Sequence, residues 1–138
     1  MREDYLNPQM NTEKVRNLSL LALAHVGDGV YELLIRTYLA EKGLCTAQDL
    51  HEHRIRLVNA AAQANAAHEI LDELTEEERN VFRRGRNAHV SGTPPHADPA
   101  QYHEATGLEA LFGYLYLLGR HERLNALFQK IMEMDHAT

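Results

Sequence analysis

Two acidic residues stand in otherwise apolar helical surroundings. Asp28 follows Gly27 within LALAHVGDGVYELLIR, from Leu21 to Arg36. Glu109 sits within ATGLEALFGYLYLLG, from Ala105 to Gly119. A carboxylate in such surroundings is costly unless it is paired or bound to a cation. If the two helices pack together, Asp28 and Glu109 can share one divalent cation. Hard cations such as Mg²⁺ take oxygen ligands and keep several waters, so few protein ligands suffice. Glu32 lies one helical turn beyond Asp28 on the same face. Its first role is support of that helix, and its second is orientation of an outer water. Glu104 falls off the Glu109 face. Spacing alone favours the plainer alternative, in which these are cap or surface acids.

A second pattern suits phosphate recognition. Arg79, Arg83, Arg84 and Arg86 cluster, and no Asp or Glu occurs from 79 to 97. Eleven of the fourteen basic residues are Arg, which grips phosphate in a bidentate manner better than Lys does. Arg83, Arg84, Arg86 and His89, with the segment 87–97, form the best basic surface in the chain. The formal charge of −6 and a pI near 5.8 argue mildly against nucleic-acid binding. A solvated basic face is the plain alternative.

Other chemistries lack a pattern. His51 and His53 are two residues apart and point to different sides of a helix. No HExxH occurs, so a histidine metal site is not expected. Cys45 is the only cysteine, which excludes an internal disulfide framework and a cysteine zinc site. Tyr114 and Tyr116 read as packing residues rather than base-stacking ones. There is no phosphate-cradling glycine loop and no Gly-x-Ser-x-Gly nucleophile.

The elements that must position these residues read as helices nearly throughout. Residues 1–11 look like an extended arm, and Thr12 or Asn17 is the expected cap of a first helix. Leu20, Leu23, Val30, Leu33, Leu34 and Leu39 keep a helical period from Ser19 to Glu41, with a break expected near Gly27. Gly43 ends that helix. Thr46 with Asp49 opens the next one. The stretch 54–73 is alanine-rich and helical, with Ile55, Val58, Ala62 and Ala66 along one side. Thr75 with Glu78 is a capping box, and its helix runs to about Arg84. Ser91 to Pro95 cannot continue a helix. Asp98–Pro99 reads as a cap followed by proline at the first helical position. Leu108, Leu111, Phe112, Leu115 and Leu118 form a core stripe, and a last helix carries Leu124, Leu127, Phe128 and Ile131.

At 138 residues and 15.7 kDa, the chain reads as a single all-α domain with one core. The apolar fraction of 44% supports a globular protein. The longest apolar run, Leu20 to Ala24, is far short of a membrane span. The start, Met1-Arg2-Glu3-Asp4, lacks the order of a signal peptide. A cytoplasmic setting without a membrane partner is expected.

The stretch from Leu21 to Arg36 resembles the signature helix of the ribonuclease III family. The stretch from Ala105 to Gly119 resembles that family's second acidic motif. Arg83-Arg84-Gly85-Arg86-Asn87-Ala88 and Ser91-Gly92-Thr93 point to its short branch, Mini-ribonuclease III. The resemblance spans about residues 17–130. It implies an all-helical endonuclease domain acting as a homodimer, over residues 1–138. It implies Mg²⁺-dependent cleavage of double-stranded RNA, with Mn²⁺ able to substitute, leaving 5′-phosphate and 3′-hydroxyl ends. It further implies maturation of the ends of 23S ribosomal RNA precursor, with a ribosomal protein as a candidate partner. A separate double-stranded-RNA-binding domain is not expected.

Full-length members of the family carry a Glu four residues before the aspartate and an Asp three residues before the second Glu. Ala24 and Thr106 stand at those positions here. Asp28 and Glu109 are therefore the carried-over catalytic and metal-binding residues. His25 replaces an aromatic residue and reads as structural. Two function classes follow: a Mg²⁺-dependent endoribonuclease, and a non-catalytic helical dimer that binds structured RNA or a ribosomal precursor as a scaffold.

Overall fold

The computed structural model describes residues 3–88 and 98–137, and these form α-helices with no strand among them. The helices are α1 (Thr12–Arg16), α2 (Leu20–Glu41), α3 (Ala47–Val58), α4 (Ala60–Ile70), α5 (Glu76–Arg86), α6 (Pro99–Leu117) and α7 (His121–Ala137), with a 3₁₀ turn at Leu71–Glu73. Helix α6 is the axis. Helices α2, α4, α5 and α7 pack against it, and α3 lies on α2.

The sequence explains why α6 is central. From Ala105 to Leu115 every residue is buried except Glu109, so this helix is apolar all round. Leu108, Leu111, Phe112 and Leu115 of the expected stripe are fully buried. Tyr31 of α2 reaches across to them. Its ring lies 5.3 Å from Phe112 and 6.1 Å from Phe128 of α7, in tilted and edge-on packing. Leu124, Leu127, Phe128 and Ile131 bury the inner face of α7.

Side-chain caps set most helix starts. Ser19, Thr46 and Asp98 each accept a hydrogen bond from the first turn of α2, α3 and α6. The Thr75–Glu78 box is complete: Thr75 Oγ1 accepts from the Glu78 N–H at 3.1 Å, and Glu78 Oε1 accepts from the Thr75 N–H at 2.9 Å. Glu78 is only 2% exposed, and Arg123 of α7 grips it with two hydrogen bonds of 2.8 and 2.9 Å. Burial pushes that carboxyl up, but the Arg123 and Thr75 hydrogen bonds outweigh it and hold it below the usual range.

Several local expectations are corrected. The cap of α1 is Asn11, whose side chain accepts from the Lys14 N–H, while Asn17 closes the same helix. Helix α2 runs unbroken through Gly27. The helical glycine costs about 1 kcal/mol, but close packing against α6 compensates for it. The stretch 54–73 is not one helix. Asn59 adopts an extended backbone, and its amide donates to the Ile55 carbonyl at 3.1 Å. Its side-chain oxygen accepts from the Ala62 N–H at 2.8 Å. One residue thus closes α3 and opens α4. Ile55 faces solvent as a result, and Leu33 of α2 is 58% exposed. Helix α5 continues through Gly85 to Arg86. The expected loop at Ser91–Pro95 lies outside the described residues.

Candidate active site

Helices α2 and α6 cross at glycine. A β-carbon on Gly27 would stand 1.6 Å from the Glu109 carbonyl oxygen. A β-carbon on Gly113 would stand 2.1 Å from the Leu23 carbonyl oxygen. Neither position has room for a side chain. The two backbones therefore touch, and Asp28 and Glu109 are carried to the same spot. Their carboxyls come within hydrogen-bond reach of each other.

That apposition has an electrostatic cost. Burial, and then the facing Asp28 carboxylate, push Glu109 up to about 8. Asp28 is exposed at the mouth of the site, and Glu109 is half-buried behind it. The structure thus brings together the two acids singled out from sequence.

It also adds a residue that sequence reasoning missed. Gln63 of α4 is 5% exposed, and its amide stands near the Glu109 carboxylate, whose proton affinity it lowers. The available signal was one of the two polar residues, with Asn65, inside an alanine-rich run from Ala60 to Ala67.

The two thinned positions are sealed. Ala24 and Thr106 are both buried, and Thr106 Oγ1 donates to the Tyr102 carbonyl of its own helix at 3.0 Å. No group of three or more His, Cys, Asp or Glu side chains placed to hold a metal occurs among the described residues. Two carboxylates and a neutral amide remain. This hard-oxygen donor set fits Mg²⁺, which commonly takes one or two protein carboxylates and fills its shell with water. A cation would also relieve the repulsion that raises Glu109.

Glu32 faces elsewhere. It binds Arg54 of α3 at 2.6 Å and Arg36 at 3.2 Å, which ties α3 to α2. Glu104 pairs with His68 of α4 at 2.7 Å.

The arginines divide between two surfaces. Arg79, Arg83 and Arg86 line a groove of about 300 Å³ with Leu71, Asp72 and Phe82. The Arg86 guanidinium stands 5.9 Å from the Phe82 ring centre. Arg79 is held by the Leu71 carbonyl at 3.3 Å. Arg84 points instead to a small pocket of about 50 Å³ beside Arg16, Leu20 and Glu77. His89 lies outside the described residues. No helix of the described residues is long and apolar enough to cross a membrane.

Helix α2 also carries an outward row at i, i+4 spacing: Leu21, His25, Gly29 and Leu33 are all exposed. Val26, Leu34 and Leu6 of the arm border it, in an apolar groove of about 440 Å³.

A helix buried from Ala105 to Leu115 but for one carboxylate, which meets another across a glycine crossing, defines the class: an all-helical domain with a paired-acid site. Comparison with known proteins narrows the class. The family described as Ribonuclease III domain matches residues 21–120. The chain belongs to the ribonuclease III family and is an endoribonuclease. It is similar to the Mini-ribonuclease 3 of Symbiobacterium thermophilum, at 50% identity over 109 residues, which cover 79% of this chain and 84% of that protein. It is 38% identical to the Mini-ribonuclease 3 of Clostridium tetani over 135 residues, 97% of this chain and 89% of that one. A crystal structure of a protein from Fusobacterium nucleatum matches the fold with a TM-score of 0.80 at 30% identity, covering 88% of this chain and 98% of that one. The resemblance in the two acidic motifs therefore extends over most of the chain.

Proposed function

We propose that the chain cleaves double-stranded RNA in a Mg²⁺-dependent reaction at Asp28 and Glu109, leaving 5′-phosphate and 3′-hydroxyl ends. The observation that carries this reading is the apposition of the two carboxylates across the Gly27–Gly113 crossing. Both would hold the ion, and Mn²⁺ would serve in its place. The ion, when bound, lowers the pKa of coordinated water and offsets charge on the scissile phosphate. Asp28, at the mouth, faces the incoming backbone. Glu109, anchored in α6, fixes the depth at which that backbone stops. Glu32 keeps a supporting role through Arg54.

The basic surface supplies RNA contacts. A-form RNA presents a wide, shallow minor groove, so recognition rests on shape and phosphates. Arg83 and Arg86 face one groove, Arg84 faces the α1 side, and His89 completes the set. The substrate of this reading is ribosomal RNA precursor, matured at the ends of 23S RNA in the cytoplasm, with a ribosomal protein as a further partner. The exposed row Leu21, His25, Gly29 and Leu33 supports a homodimer, in which a second copy covers this face.

The test uses a long labelled RNA duplex with Mg²⁺ or EDTA, beside Asp28→Asn. Cleavage that needs both the ion and Asp28, with a drop of at least about a thousandfold in the variant, is the expected result. Binding without cleavage by the unaltered chain under all metals would overturn the reading in favour of a scaffold.

A further inference from the structure

We propose that Gln63 is a positioning residue of this site: its buried side-chain amide, presented by α4 where that helix packs on α6, donates to the Glu109 carboxylate and orients it toward Asp28. The inference rests on the nuclease reading above and adds a third side chain to it.

Three observations lead here. The first is burial. Gln63 is 5% exposed in a helix otherwise built of small residues at this face, with Ala64, Ala66 and Ala67 also buried. A buried amide is costly unless it makes hydrogen bonds, and glutamine has two donors to place.

The second is register. Helix α4 packs against α6, and the His68–Glu104 contact of 2.7 Å lies five residues beyond Gln63 and five before Glu109, the matched offset of an antiparallel pair. In that register Gln63 stands level with Glu109.

The third is charge. Asp28 and Glu109 already repel each other, and a third carboxylate at 63 would add to that. An amide supplies a donor without a charge. It occupies one side of the Glu109 carboxylate and leaves the remaining lone pairs for the cation. Groups that hold a ligand in this way commonly affect metal affinity or activity by roughly 10–100-fold.

Two variants separate orientation from packing. Gln63→Met keeps the length of the side chain and removes the amide. Gln63→Asn keeps an amide that falls one carbon short. Mn²⁺ binding is measured by electron paramagnetic resonance on the RNA-free protein. The kcat and KM are measured on an RNA duplex with Mg²⁺, and folding is followed by circular dichroism.

Both variants are expected to fold, to bind Mn²⁺ about tenfold more weakly and to lose about tenfold in kcat, with KM for RNA unchanged. Parental Mn²⁺ affinity and kcat in Gln63→Met would overturn the proposal, as would a loss confined to KM. If Gln63→Met does not fold, Gln63→Asn decides by the same readings. An unaltered chain that binds Mn²⁺ but does not cut RNA counts against the nuclease reading, while the Mn²⁺ affinities still decide the role of Gln63.

Discussion

Gly27 and Glu109 meet backbone to backbone, closer than any side chain on Gly27 would allow. The residue after the glycine is Asp28, so this contact sets the distance between the two acids. The helix crossing and the acidic pair are one feature: parting the backbones parts the carboxylates.

Gly27→Ala tests that link. The added methyl would meet Glu109 carbonyl oxygen, and backbone cannot yield as a flexible side chain can. A loss of about 3 kcal/mol is expected in urea unfolding, at the upper end of overpacking effects. Cleavage should fall even at temperatures where the variant remains folded.

Glu109 makes the site a source of instability when no metal is bound. Its folded-state pKa of about 8 lies above the ordinary value of 4.5, so the folded chain holds this proton more tightly than the unfolded chain. Between those two values the folded state carries the excess proton, and stability falls as pH rises. In EDTA at pH 8, Glu109→Gln should melt at least about 3 °C above the unaltered chain. Near pH 4.5 the two should melt together. Equal melting points at pH 8 would count against the raised value.

The Arg83 and Arg86 groove should appear in the salt dependence of RNA binding. Each phosphate contact removed lowers the slope of log affinity against log salt by about 1. Replacing Arg83 and Arg86 together by Ala should lower it by about 2 and weaken all duplex sequences alike. An unchanged slope would place the RNA on another surface.

Leu33→Glu tests the homodimer. The side chain is exposed in the single chain, so the fold should tolerate the change. A charge on that outward face should shift sedimentation to the monomer at micromolar concentrations. A dimer that persists in Leu33→Glu would move the interface elsewhere.

What the sequence makes legible is mostly local. Asp28 and Glu109 stand out because carboxylates are rare in such apolar stretches, and the Thr75–Glu78 box is a contact between near neighbours. Gly43 stops α2 as expected, and it takes a positive φ of 93°. The rest depends on which helix lies beside which. Gln63 joins the site only because α4 packs against α6. Gly27 reads as a helix breaker in one dimension and as a contact surface in three. Leu33 keeps the helical period of α2 but faces outward, because periodicity marks a face without saying what covers it. Arg84 adjoins Arg83 in sequence, yet the helical turn sends it to another surface.

The burial of α6 has a consequence for how such a molecule can change over generations. Ten of the eleven residues from Ala105 to Leu115 are locked into the interior, and the eleventh is Glu109. This segment holds no spare position at which a new preference could be tried without loss of the fold or the chemistry. Helix α3, by contrast, buries none of its residues. Adaptation to a new substrate has to enter through such outer helices, with α6 left as inherited.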